Sequence, residues 1–334
     1  MVTDSARFGM RKLDEKPAIS YILAIAARSW LMSINPEADA ISLLQITLAK
    51  TSDLFKLTKP KLISLVLFTT LVGFYVGTHG SIPLLLLFHT LIGTALMAGG
   101  ATASNMYRER DLDALMKRTA LRPLATGRLP SGQALMFALA ISAGGFVYLL
   151  IFVNPLTSLL SAAIFVSYLF LYTPLKTKTW LCTFVGAVPG ALPVVMGWTA
   201  ASASISSGAC ILFMIVFLWQ IPHFYAIGWL HREDYAGAGL PVISVVDLDG
   251  RETGRLTILF IVALIVLTLF PFFLDLAGQA YLLGAVLLGL IFLGYAIHFA
   301  RLRNADAARK LFAASAFYLP ALLILLAFDK TSVR

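Results

Sequence analysis

Nine runs of roughly twenty mostly apolar residues, separated by short polar segments, constrain this 334-residue chain more than any other feature. A helix rises about 1.5 Å per residue, so about twenty residues cross the ~30 Å hydrocarbon core of a bilayer. The runs are 61–79, 82–104, 132–153, 155–172, 180–201, 207–229, 256–275, 280–300 and 311–328. Inside hydrocarbon every backbone N–H and C=O needs a partner within the protein, which leaves only helices and closed barrels. No run alternates at strand period with turns every ten residues, which disfavours a barrel. The sequence therefore predicts an all-α membrane protein of about nine transmembrane helices. Pro189, Pro193, Pro222 and Pro271 lie within runs, as membrane helices tolerate when neighbours satisfy the freed backbone groups. Only 13% of residues are charged, against about 25% in soluble domains, so a soluble globular enzyme is excluded. With no polar linker inside the apolar stretch, residues 61–328 form one membrane domain, 1–60 a cytoplasmic or interfacial segment and 329–334 a tail.

The basic residues set the orientation. Nine of the 26 lie before or at the start of the first run, which Lys61 opens, six lie in 105–131, two in 173–179, three in 230–255 and four in 301–310. The turns near 80, 154, 204 and 277 carry none, and only Lys330 and Arg334 fall on that other side. Positive charge stays on the cytoplasmic face, so the N-terminus is expected there and the C-terminus outside. The same rule accounts for the net charge of +9 without a nucleic-acid partner. Residues 18–34 are apolar apart from Arg28; a span there would export Arg7, Arg11, Lys12 and Lys16, so a helix lying in the interface is expected. Cys182 and Cys210 fall within spans and read as small apolar fillers.

Two long cytoplasmic loops hold most of the non-terminal carboxylates, and each follows a span, the second and the sixth. An offset of four spans preserves direction, so the two could be parallel repeats. If the second helix continues into its loop, Asn105, Glu109 and Asp113 sit at i, i+4 and i+8, within about an 80° arc, while Asp111 points elsewhere. Three oxygen side chains on one face suit Mg²⁺, which commonly shares its ligands with substrate phosphates. Arg118 and Arg122 follow, and the guanidinium fork matches phosphate. The spacing equally fits a solvated loop whose acids pair with Arg108, Arg110 and Arg118. In the second region His223, His231 and Asp234 share an arc if one helix carries all three. His223 lies within a span, where an ionisable group faces the bundle interior by default; it could bind a substrate, ligate iron or bond a neighbouring helix. His89 and His298 lack acidic neighbours. Lys176 and Lys178 could hold a phosphate or only set orientation. The acids gather at one face rather than at mid-membrane on broken helices, which argues against a transporter.

At these residues the chain resembles the intramembrane UbiA prenyltransferase family. Asn105-Met-Tyr, Asp111-x-Asp113, Arg118-Thr119 and Arg122-Pro-Leu match the family's first motif as found in its heme-farnesylating branch. YTPLK at 172–176, GAVPGALPVVMGW at 186–198, WQIPHF at 219–224 and the Asp234-Tyr235 region also resemble that branch. The resemblance covers about residues 50–328. It implies nine helices around a central cavity under a cytoplasmic cap of loops. It assigns Asn105, Glu109 and Asp113 to a first metal–diphosphate motif and Asp234 to a second, with Asn105, Asp113 and Asp234 catalytic. Arg118, Arg122 and Lys176 would hold diphosphate, with Mg²⁺ as cofactor; His223 is the heme-binding candidate. The implied substrates are farnesyl diphosphate and heme B, in a bacterial cytoplasmic membrane, with product handed to a heme A synthase or a terminal oxidase assembly. Other members of the family prenylate quinone precursors or chlorophyllide at the same kind of site. The chain departs from the pattern at Glu109, where the wider family has Asp, and at Cys182, where the heme branch commonly has Asn.

Overall fold

The computed structural model describes residues 36–331. The expected interfacial helix at 18–34 lies outside them. The chain divides into two compact units, Met1–Ser52 and Asp53–Arg334. In the first, the described residues form the start of helix α1, Pro36–Leu57.

Among the described residues of the second unit, nine helices are long and apolar enough to cross a membrane. They are α2 (Pro60–Gly77), α3 (Leu84–Leu115), α4 (Ser131–Phe152), α5 (Pro155–Leu175), α6 (Cys182–Ser202) and α7 (Ser207–Leu230), then, after the short helices α8 (Arg232–Gly237) and α9 (Ile243–Val246), α10 (Arg251–Phe273), α11 (Gln279–Leu302) and α12 (Ala305–Phe328). Each matches one expected run. Their outward faces carry large apolar side chains such as Leu283 (72% exposed) and Leu287 (61%), a patch that lipid covers and water would not tolerate.

One continuous core joins α2, α6, α7, α10, α11 and α12 through residues such as Val72, Val194, Leu212, Leu264, Phe292 and Leu319. Helices α3, α4 and α5 meet α6 around Met97, Leu149 and Met196. Small residues bring α2 and α6 to backbone contact: a Cβ at Gly73 would strike the Val194 carbonyl, and one at Gly197 the Thr70 carbonyl. Without a hydrophobic force between helices in lipid, such close approach gives the dispersion contact that holds them.

Two helix ends position the site: one continues as the sequence reading supposed, and the other departs from it. Helix α3 runs 32 residues, about 48 Å, and so projects well beyond the membrane. Helix α7 stops at Leu230, because His231 leaves helical geometry at φ −117°, ψ 24°. The expected arc of His223, His231 and Asp234 does not form, and the two regions do not match as repeats at this point. The end of α3 and the chain after α7 instead meet in a cap, where Met116, Ala238 and Leu240 are buried together with Leu112 and Tyr235 packed on them.

Candidate active site

The continuation of α3 decides which side chains face inward. Asn105, Glu109 and Asp113 are buried at 2%, 4% and 2% exposure, whereas the Asp111 side chain is 85% exposed. The i, i+4, i+8 face is therefore built as its spacing predicts.

Helix α5 supplies the opposing wall through a local irregularity written in its sequence. Over Ser167–Tyr172 it widens to π geometry, and the Thr173 N–H bonds the Tyr168 carbonyl five residues back. The next such bond would run from residue 174 to Leu169, but Pro174 has no N–H. The Leu169 carbonyl accepts instead from Arg108 Nη1 at 2.7 Å. Single π turns of this kind cluster at functional sites. Here the turn aims two groups at Asn105: Tyr168 Oη donates to its Oδ1 at 3.1 Å, and its Nδ2 donates to Thr173 Oγ1 at 3.2 Å. One turn on, Lys176 Nζ donates to Glu109 Oε1 at 3.0 Å. From the loop after α3, Arg122 Nη1 donates to both Asp113 oxygens at 2.8 and 2.7 Å, and Thr119 Oγ1 donates to the Asp113 carbonyl at 2.8 Å.

The acids are thus paired, but not with the arginines a solvated loop would use. Arg108 bonds a carbonyl and Arg118 Nη2 reaches Tyr235 Oη at 3.3 Å; only Arg110 approaches an acid, Asp111 at 3.6 Å. Asp234 makes no ion pair among the described residues. Nor do three His, Cys, Asp or Glu side chains come close enough to share a metal there. Asp234 therefore forms no three-carboxylate cluster with Glu109 and Asp113 among the described residues. The oxygen set of Asn105, Glu109 and Asp113 nonetheless fits a hard cation completed by substrate oxygens.

Lys59 also reaches this site, although its sequence position reads only as an orientation charge. It sits just before Pro60 with φ +51°, a left-handed conformation that costs a non-glycine residue about 1–2 kcal/mol. Its ammonium has no hydrogen-bond partner among the described residues. Burial, then the Arg122 guanidinium, push its pKa down to about 8, while Glu109 and Asp113 act in the opposite sense. For Lys176, burial alone would lower the pKa, but the Glu109 carboxylate outweighs it and raises it above the ordinary lysine value. Lys59, Lys176 and Arg122 make a cation set around the two carboxylates. Pro60, which restricts the backbone of the residue before it, was the available sequence signal for Lys59.

Below this charged rim lies a cavity of about 280 Å³. Its walls come from α2, α3, α5, α6, α7 and the short α9, and are mostly apolar: Leu62, Val66, Met97, Ile164, Pro193 and Met196 among them. Lys176 reaches its lining, as do Tyr168 and Tyr172, whose rings stack at 5.4 Å, and Tyr235 of the cap. Cys182 is buried on the same wall.

His223 is in neither the ionic cluster nor the cavity lining. Its ring lies between Trp219 and Phe312, and Nδ1 is 2.7 Å from Ser315 Oγ on α12. Ser315 Oγ donates to the Phe312 carbonyl at 2.6 Å, so it accepts from His223 Nδ1–H. That tautomer leaves the lone pair on Nε2. The expected hydrogen bond to a neighbouring helix is thus present.

A model of the UbiA prenyltransferase family matches residues 66–320. A protein of Solibacter usitatus (strain Ellin6076) named protoheme IX farnesyltransferase is 44% identical over 287 residues, covering 83% of this chain and 98% of that protein. The fold is similar to a digeranylgeranylglyceryl phosphate synthase structure at TM-score 0.72 and 15% identity, covering 84% of this chain and 98% of the other. It is also similar to a UbiA homolog from Archaeoglobus fulgidus bound to GPP and Mg²⁺, at TM-score 0.57 and 15% identity, covering 82% and 99%.

Proposed function

This chain belongs to the UbiA prenyltransferase family, and from that premise we propose that it transfers the farnesyl group of farnesyl diphosphate to a vinyl group of heme B, giving heme O and diphosphate. The observation that carries the reading is the buried Asn105–Glu109–Asp113 face, with its lysines and arginine, at the mouth of an apolar cavity. The Solibacter relative's name supports heme as the acceptor, and the GPP and Mg²⁺ of the Archaeoglobus homolog support a metal-held prenyl diphosphate.

Asn105, Glu109 and Asp113 would hold Mg²⁺. When bound, the metal supplies positive charge that neutralises the diphosphate. With the carboxylates balanced by the metal, Lys176 and Arg122 would be free to donate to phosphoryl oxygens. Lys59 and Arg118 add to that cation set. As the C1–O bond breaks, these preorganised donors stabilise the charge that gathers on the leaving group. The stacked Tyr168 and Tyr172 rings border the same space, and an aromatic face attracts the positive charge left on the allylic carbon. The apolar wall receives the fifteen-carbon chain and keeps water from the cation. The heme vinyl group then attacks C1.

His223 remains the candidate heme ligand, since Ser315 fixes the tautomer that offers Nε2 to an iron. The charged rim faces the cytoplasm in this reading, with the C-terminus outside, in a bacterial cytoplasmic membrane. The product passes to a heme A synthase or terminal oxidase assembly. The test is an assay of purified protein with farnesyl diphosphate, Mg²⁺ and either heme B or 4-hydroxybenzoate. Heme O as the product supports the reading; a prenylated aromatic acid in its place moves the chain to another branch of the family.

A further inference from the structure

The cavity is apolar except for a few atoms, and three of those are buried hydroxyls without a hydrogen-bond partner among the described residues: Thr94 Oγ1, Tyr225 Oη and Ser244 Oγ. Tyr225 is 1% exposed and Ser244 fully buried. An unpaired hydroxyl away from water is unfavourable, and each orphan in a native protein calls for an explanation. Thr94 stands alone on α3, eleven residues before Asn105. Tyr225 and Ser244 share one wall. Gly228, one turn on from Tyr225, packs on Ser244, and a Cβ there would lie 3.0 Å from Ser244 Oγ. Tyr225 and Ile243, the residue before Ser244, belong to one packed cluster with Ile221.

A third polar group lines the cavity from the same helix. Gln220 Nε2 donates to the Ala187 and Val216 carbonyls at 3.1 and 3.2 Å, which turns Oε1 toward Gly190, where no side chain covers it. That oxygen accepts no hydrogen bond among the described residues. The wall therefore offers two hydroxyls and an amide oxygen, all neutral. A diphosphate or a propionate would call for cations, and those are at Lys176, Lys59 and Arg122. Neutral donors and acceptors suit a neutral polar molecule, and a water held in a protein interior needs two to four such partners.

We propose that Tyr225 and Ser244, with Gln220 beside them, hold the water molecule that the reaction consumes. The inference rests on heme B being the acceptor. Attack of the vinyl terminal carbon on farnesyl C1 forms a C–C bond, releases diphosphate and leaves a cation on the carbon attached to the pyrrole. The water oxygen gives a lone pair to that carbon, and one proton passes to an oxygen of the released diphosphate. The product is the hydroxyethylfarnesyl side chain. Without a positioned water the cation loses a proton from the adjacent CH₂ instead, and the product is an alkene lacking one water. Placing the water on the α7–α9 wall also keeps it away from C1, where capture would waste the substrate as farnesol.

The experiment compares wild type with Tyr225→Phe, Ser244→Ala and the double variant, reading diphosphate release and the masses of heme products. The expected result is diphosphate release within about threefold of wild type and at least a tenfold rise in the ratio of dehydrated to hydroxylated heme product in the double variant. If the double variant does not fold, the single variants decide by the same ratio. An unchanged ratio with a raised KM for heme would overturn the proposal by making the hydroxyls heme contacts. Loss of diphosphate release in folded variants would overturn it by placing them in the ionisation step. A wild type that makes no farnesylated heme is a different failure, that of the acceptor assignment itself.

Discussion

Asp111 and Asp113 lie two residues apart on α3 and meet opposite surroundings. Asp113 is buried against Arg122, and Asp111 is exposed with only Arg110 near it. Asp113→Asn keeps the shape and removes a charge, so farnesyl transfer is expected to fall about 10²–10³-fold, the scale of losing one preorganised electrostatic group. Asp111→Asn is expected to stay near wild type; equal losses in initial-rate assays would refute the facing argument. Glu109 and Lys176 make a buried pair, with side chains 5% and 14% exposed. Lys176→Met strands the carboxylate and is expected to cost about 3–5 kcal/mol, whereas adding Glu109→Gln should recover most of that stability without restoring activity. Thermal melts in detergent measure both arms. For His223, His223→Ala is expected to shift the Soret band of bound heme while leaving farnesyl diphosphate affinity intact; an unchanged band in a folded variant removes it as an iron ligand. Spacing alone was enough to read the facing of Asn105, Glu109 and Asp113, because helical period fixes direction once the helix is granted. The partners were not readable. Arg122 returns to Asp113 across a loop, and Lys176 meets Glu109 across 67 positions, neither of which any local pattern encodes.

At the scale of elements, α3 and α7 differ in how their C-terminal ends behave. The nine crossings among the described residues were legible because each needs a long apolar run. Where α3 and α7 end was not: no Pro or Gly separates Trp229 from Tyr235, yet the helix breaks at His231, while α3 continues through a charged stretch. Continuation of α3 is what unites Asn105 and Glu109 with Asp113. Asp111→Pro touches no buried contact but removes a backbone donor inside the helix, at a cost of about 3 kcal/mol. It is expected to abolish transfer while the protein still inserts; full activity would show that the extension is dispensable. At the α2–α6 crossing, Gly197→Val has no room beside the Thr70 carbonyl and is expected to lower both melting temperature and farnesyl diphosphate affinity, since both helices line the cavity. The π turn of α5 had a local signal in Pro174, whose missing N–H frees the Leu169 carbonyl for Arg108.

For the whole molecule, the arrangement divides labour between a charged rim and an apolar interior. The rim is visible in the sequence as charge asymmetry. The cavity is not, because its walls combine helices from the start to well past the middle of the membrane domain, and neither Tyr225 nor Ser244 carries any mark in the sequence. Orientation is checked by single-cysteine labelling in intact cells after Cys182 and Cys210 are replaced. Ser204→Cys is expected to react with an impermeant maleimide and Leu121→Cys to stay unreactive; the reverse pattern would invert the protein in the membrane. The central claim is that the α3 face, with Lys176 and Arg122, is a metal–diphosphate site at the mouth of that cavity. Calorimetric binding of a non-reacting farnesyl diphosphate analogue to the purified protein, with Mg²⁺ and then with the metal chelated, tests it most directly. The account expects binding that weakens at least tenfold on chelation in wild type and is already weak, and insensitive to Mg²⁺, in Asp113→Asn. Tight binding that ignores both the metal and the substitution would contradict it.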